Sequence, residues 1–177
     1  MYDAIVCDPP YGIRAGARKS GSKLDVVRPV LESQRHDHIA QTRPYAISDV
    51  MVDLLDVAAR VLVLGGCLVY IIPSMADFVP EKDLPMHPCL HLTFCCYQPL
   101  HIQYGRRVVV MRKIENYDES QQDFYKRSSW VNGAESAEKV ANIRERLIEE
   151  AKRKPGYEEK SKYKAAKRRL KKEERKG

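Results

Sequence analysis

The sequence predicts an α/β fold: the back half of a doubly wound sheet that ends in a β-hairpin and continues into a charged, basic tail. Three observations carry this. An apolar run at residues 2–7 stops at Pro9-Pro10, helical periodicity spans 47–64, and strand-like runs follow at 67–72, 90–98 and 107–114. Strand, helix, strand and then two closely spaced strands is the order of a parallel pair joined by a helix, followed by an antiparallel hairpin.

Taken in order, Ala4-Ile5-Val6-Cys7 is continuous and apolar, the pattern of a strand covered on both faces and paired on both edges. From Pro9 to about Pro44 the chain is rich in Gly, Ser, Arg and His and reads as a long loop. Over 47–64, Val50, Leu54, Val57, Ala58 and Val61 recur at helical spacing, and Gly65-Gly66 is read as the helix stop. The run 67–72 is a buried strand that Pro73 ends. Pro80, Pro85 and Pro88 mark an irregular or short helical piece. Strand 90–98 returns as 107–114 through a loop containing Pro99 and Gly105. The polar run Glu115-Asn116-Tyr117-Asp118 closes the core. The expected division is 1–116 for the sheet portion, 117–133 for a linker, and 134–177 for a charged helix over 134–153 with a basic helix or disordered tail over 157–176.

Charge is unevenly placed along the chain. Residues 151–177 hold 13 Lys/Arg against 4 Asp/Glu, while 1–150 hold 18 against 20, so the tail carries the whole of the net +7. Such a run binds phosphate nonspecifically or is simply solvated. The five cysteines, Cys7, Cys67, Cys89, Cys95 and Cys96, form no C-x-x-C pair, and two are adjacent. Reduced thiols and a cytoplasmic setting are expected, and a disulfide framework is excluded. The longest apolar stretch, 57–73, is interrupted by Arg60 and Gly65-Gly66, which excludes a membrane span.

The chemistry concentrates at Asp8-Pro9-Pro10-Tyr11-Gly12, directly after the first strand. Active sites of open α/β sheets sit at the carboxyl ends of strands, so the place fits a site. An exocyclic amino nitrogen of guanine or adenine has its lone pair delocalised into the ring. Acceptors on its N–H groups pull it toward sp3 character, and Asp8 and a carbonyl of Pro9-Pro10 are suited to accept. Proline fixes φ, lacks an N–H and restrains the residue before it, so the acceptors are held in advance. Tyr11 offers a flat face for a flipped-out base, a contact worth about 1–3 kcal/mol. Catalysis by such a loop rests on positioning and electrostatics, without a nucleophile or metal.

This acidic-Pro-Pro-aromatic loop resembles that of enzymes that methylate base amino groups, and the element order resembles the class I methyltransferase fold. The resemblance covers roughly residues 1–115. It implies that 2–7, 67–72, 90–98 and 107–114 are the fourth to seventh strands of that Rossmann-like sheet. Across residues 2–19, including Gly12-Ile13-Arg14 and the basic loop after it, the chain resembles the eukaryotic tRNA guanosine-10 N2-methyltransferase catalytic subunit. That narrower resemblance implies a guanine pocket of Asp8, Pro9, Pro10 and Tyr11, S-adenosylmethionine as methyl donor, tRNA as substrate, and a small zinc-binding activator protein as heterodimer partner.

The resemblance also implies a Gly-rich turn after a first strand and an acid after a second, which hold the donor. The sequence opens one residue before the expected fourth strand, so these are expected to lie outside it, with Asp8 the one donor contact in reach. Little methyl transfer is expected from this chain alone. Gly12, Gly16 and Gly21 match neither G-x-G-x-x-G in a strand-turn-helix setting nor a P-loop. A fragment of a DNA adenine-N6 methyltransferase uses the same acceptor geometry and is an alternative, as is a nonenzymatic remnant that binds RNA or a partner. Arg14, Arg18, Lys19 and Lys23 are candidate phosphate contacts beside the pocket. His36-Asp37-His38 and His87, Cys89, His91 carry metal-capable side chains, but neither makes a four-ligand set, and no metal is expected. Tyr97, Tyr104 and Trp130 read as packing residues.

Overall fold

The computed structural model describes residues 1–10, 16–21, 30–36, 38–130 and 133–173. They pack as two compact units, Met1–Ile143 and Arg144–Gly177. In chain order the first unit holds β1 (Tyr2–Cys7), β2 (Arg18–Ser20), β3 (Thr42–Pro44), α1 (Ile47–Val61), β4 (Leu62–Met75), one-turn α2 (Pro80–Asp83), β5 (Leu90–His101), β6 (Tyr104–Lys113), α3 (Gln122–Ser128) and α4 (Ala134–Ala141). The fold is mixed α/β. A four-stranded sheet runs β1-β4-β6-β5, and β2 pairs β3 in a separate antiparallel ribbon. β1 is parallel to β4, whereas β6 is antiparallel to both β4 and β5.

One face of the sheet makes the core. Leu68, Tyr70 and Ile72 of β4 and Val109 and Met111 of β6 are fully buried, in one cluster with Met51, Leu55, Ala58 and Ala59 of α1. Each such large side chain contributes about 1.5–3 kcal/mol on burial. The alternate residues Val69, Ile71, Val108 and Val110 are only half-buried. On β1, Val6 is 78% exposed, so this strand lacks the cover expected on both faces, and β4 is its one partner among the described residues.

Helix α1 ends at Val61, and its buried face is not the expected stripe. Ile47, Met51, Leu55, Ala58 and Ala59 turn inward while Val57 is exposed. The helix carries apolar residues on two stripes, and the choice is tied to Asp56, which is buried and accepts 2.6 Å from the hydroxyl of Tyr117. Arg60 completes this cluster, 3.3 Å from Asp56 and stacked over the Tyr117 ring.

Gly65-Gly66 does not stop the helix but bulges the following strand. Tyr2 pairs Leu62 and Ala4 pairs Cys67, so β4 inserts extra residues between the two pairings. Gly65 has φ +80°, and a Cβ on Gly66 would lie 2.9 Å from the Val63 carbonyl oxygen and 3.0 Å from that of Asp3. Pro73 does not end β4 either. It pairs with Arg106 on β6, beyond the last β1 pairing at Cys7 and Tyr70, where one edge of β4 is open and a missing N–H is tolerated. Pro99 on edge strand β5 and Gly105 on β6, both expected in a loop, face each other inside the hairpin. Gly105 is required there because a Cβ would come within 2.5 Å of the Tyr97 ring.

The segment 117–133 contains α3, whose Tyr125 is buried against the core, and Trp130, which bridges to Pro85. Asp83, with no exposed surface, ties α2 to α4. Its carboxylate accepts from Lys139 Nζ at 2.9 Å and from the Val79 amide at 2.8 Å. The expected helix over 134–153 is divided at Asn142 into α4 and α5 (Ile143–Lys152), and the basic tail forms helix α6 (Tyr157–Glu173).

Candidate active site

β1 delivers Cys7 opposite Tyr70, and the chain then leaves the sheet through Asp8, Pro9 and Pro10. Pro9 is buried and pins the turn, while Asp8 and Pro10 are exposed. Burial pushes the Cys7 thiol pKa up and the charge of Asp8 adds to it, and burial raises the Tyr70 phenol far above its ordinary value. The Tyr70 hydroxyl has no hydrogen-bond partner among the described residues. An exposed carboxylate at the carboxyl end of a strand can accept hydrogen bonds from a group that docks from solvent. Tyr11, Gly12, Arg14 and Lys23 lie outside the described residues.

Arg18 and Lys19 are on β2. Arg18 donates to Thr42 through Nε at 2.6 Å and through a terminal nitrogen at 2.7 Å, so much of its guanidinium holds the ribbon together. Lys19 sits 4.3 Å over the ring of Tyr45, whose hydroxyl donates to Asp53. It also lines a cleft of about 580 Å³ with Asp49, Asp53, Lys126, Arg127 and Trp130. Lys126 is 3.9 Å from Asp53. Lys126, Arg127 and Trp130 escaped sequence reasoning as site candidates. The signal available was a Lys-Arg pair just ahead of the one tryptophan, and nothing local links it to Lys19.

His87 is buried against the rings of Tyr117 and Tyr125, at centroid distances of 5.9 and 4.6 Å, and its Nδ1 accepts from the Cys89 amide at 3.1 Å. Burial lowers its pKa. His91 is exposed, as are His36 and His38, and Asp37 lies outside the described residues. No group of three metal-capable side chains occurs among the described residues. The five cysteines are unpaired. Tyr97 lies 4.7 Å from the Arg107 guanidinium and packs on Gly105. Among the described residues no helix is long and apolar enough to cross a membrane.

Neither a family model nor a solved structure matches the chain. Curated proteins do. A tRNA (guanine(10)-N(2))-methyltransferase of Dictyostelium discoideum is 52% identical over 122 residues, 68% of this chain and 24% of the relative. The proteins of the same name from Rattus norvegicus and Homo sapiens are 39% identical over 117 residues and 37% identical over 123, again about a quarter of each relative. By sequence, two thirds of this chain is similar to the tRNA (guanine(10)-N(2))-methyltransferases, of whose own length the chain spans about a quarter.

Proposed function

We propose that this chain supplies the base-recognition part of a methyltransferase that modifies the N2 amino group of guanine in tRNA. The observation that carries the reading is Asp8-Pro9-Pro10 leaving the carboxyl end of β1, next to the parallel strand β4. Asp8 accepts one N–H of the guanine amino group, and a carbonyl of Pro9 or Pro10 accepts the other. The nitrogen lone pair is thereby freed from the ring for attack on a methyl group, and the carboxylate steadies the positive charge that develops. Tyr11 stacks on the extruded base. In this reading β1, β4, β5 and β6 are the fourth, fifth, sixth and seventh strands of a class I methyltransferase sheet, within residues 1–116. The relatives' names support guanine in tRNA over adenine in DNA, and over a nonenzymatic remnant.

The methyl donor that the family implies is S-adenosylmethionine. The described residues around the motif offer one carboxylate and prolyl carbonyls, a donor set for an amino group and not for an adenosyl moiety, so they do not by themselves make the donor site. Asp8 is the residue that borders it. Lys19, with Lys126 and Arg127 in the same cleft, is proposed to contact tRNA phosphate, as are Arg14, Arg18 and Lys23. A small zinc-binding activator as heterodimer partner and a cytoplasmic place of action belong to the same proposal.

The test is a chimera in which this chain replaces the matched quarter of the Dictyostelium discoideum relative. Methyl transfer from labelled donor to a tRNA transcript is expected to survive the replacement. Asp8→Ala should lower kcat about 10²–10³-fold, the usual cost of removing one preorganised hydrogen-bonding group. An active chimera in which Asp8→Ala retains its rate overturns the assignment.

A further inference from the structure

The unit Arg144–Gly177 carries a surface that the methyl-transfer reading does not use. α5 and α6 meet at an elbow, Arg153-Lys154-Pro155-Gly156, where Gly156 adopts φ +74°. The elbow and the first three turns of α6 enclose a cleft of about 390 Å³ whose charged lining is entirely cationic: Lys154, Lys160, Lys164 and Arg168. Along α6, Lys160, Lys164, Lys167 and Arg168 recur at spacings of four, three and one, which places them on a single face. At 1.5 Å per residue this stripe is about 12 Å long. None of the four forms an ion pair among the described residues, whereas Arg153 nearby is paired with Glu150 at 2.9 Å.

Like charges gathered around a concavity without counter-ions repel one another, and an anion entering the cleft removes that cost. Beside the stripe, Tyr163 is 68% exposed and lines a second groove with Lys160, Lys164, Lys167 and one acid, Glu159. Cations that track a backbone and an aromatic face for a base are the combination that binds single-stranded or looped RNA. A membrane-surface helix would instead set a broad apolar face opposite its cations, and the residues of α6 outside the stripe are mostly polar or charged.

We propose that the α5–α6 elbow is a second RNA contact, a phosphate-binding arm that grips tRNA backbone without reading its sequence. That the polyanion is RNA rests on the tRNA reading above; that it is a phosphate polymer rests on the elbow alone. The 177-residue chain is titrated with fluorescent tRNA at about 50–200 mM salt, beside the triple variant Lys160→Gln, Lys164→Gln, Arg168→Gln, the variant Lys160→Arg, Lys164→Arg and Asp8→Ala. Losing three contacts should flatten the slope of log K against log salt by about 2.1–2.7, so that across this fourfold range the parent loses roughly 18–42-fold more affinity than the triple variant. The arginine variant should keep the parent slope, and circular dichroism should show unchanged helix in all four. Asp8→Ala should leave the slope unchanged, which separates the arm from the methyl-transfer site. Equal slopes for the parent and the triple variant overturn the proposal. So does binding to 3:1 phosphatidylcholine–phosphatidylserine vesicles with none to tRNA.

Discussion

Gly66→Ala tests whether the bulge in β4 sets the position of the motif. A methyl at this position would sit 2.9 Å from one carbonyl oxygen and 3.0 Å from another, and the second belongs to Asp3 on β1. Ordinary contact begins near 3.4 Å, so the two strands must separate by a few tenths of an ångström. Both obstacles are backbone, which cannot swing aside. Overpacking of this kind costs about 1–3 kcal/mol, offset by about 0.4–1 kcal/mol from the stiffer unfolded chain. A net loss of roughly 1–2 kcal/mol is expected in urea unfolding. Gly65→Ala is the control: its Cβ meets open space, but φ +80° costs a similar ~1–2 kcal/mol by strain alone. The two variants should therefore match in global stability and differ in hydrogen exchange. Gly66→Ala should speed exchange at the Ile5, Val6 and Cys7 amides roughly 5–30-fold beyond Gly65→Ala, because β1 is held by β4. Exchange at β1 within twofold of the control refutes the argument.

Asp83→Ala should destabilise the chain by about 3 kcal/mol in the same assay, since it strands the Lys139 ammonium, 27% exposed, and the Val79 amide. Asp83→Asn, which keeps an acceptor for Val79, should cost about half as much. His87 gives a pH signature: its folded pKa is lowered by burial, so the unfolded chain binds the proton more readily. Its contribution is therefore fully present above the unfolded value near 6.5 and is lost as pH falls below that value and through the lower folded one, at no more than about 1.4 kcal/mol per pH unit. Urea midpoints between pH 7.5 and 5.0 should drop less in His87→Phe than in the parent.

Local chemistry was readable where one residue type forces one outcome. The apolar run before Pro9-Pro10 could only be a strand ending in an extended turn, and the strand-helix-strand order fixed a parallel pair. Glycine and proline misled wherever their partner was distant in sequence. Gly65-Gly66 has the form of a helix stop, but its reason is the Asp3 backbone. Pro73 and Pro99 read as breakers because nothing nearby reveals that their strands have open edges. The inward face of α1 was hidden for the same reason, since the group that accompanies Asp56 inside is Tyr117. At the site, Asp8, Pro9 and Pro10 were visible as a contiguous motif. Lys126, Arg127 and Trp130 join Lys19 only through the packing of α3 against α1.

The strand order also dictates a schedule for synthesis. β6 lies between β4 and β5 but is the last of the four to be made. From Met75 to Lys113 the ribosome adds about 38 residues, which at about 5–20 residues per second takes roughly 2–8 s. Through that interval the inner edge of β4, with Leu68, Tyr70 and Ile72 beside it, has no partner strand. The nascent chain therefore spends seconds as a sticky half-sheet, the form in which a chaperone has most to hold and a neighbouring polysome most to aggregate with.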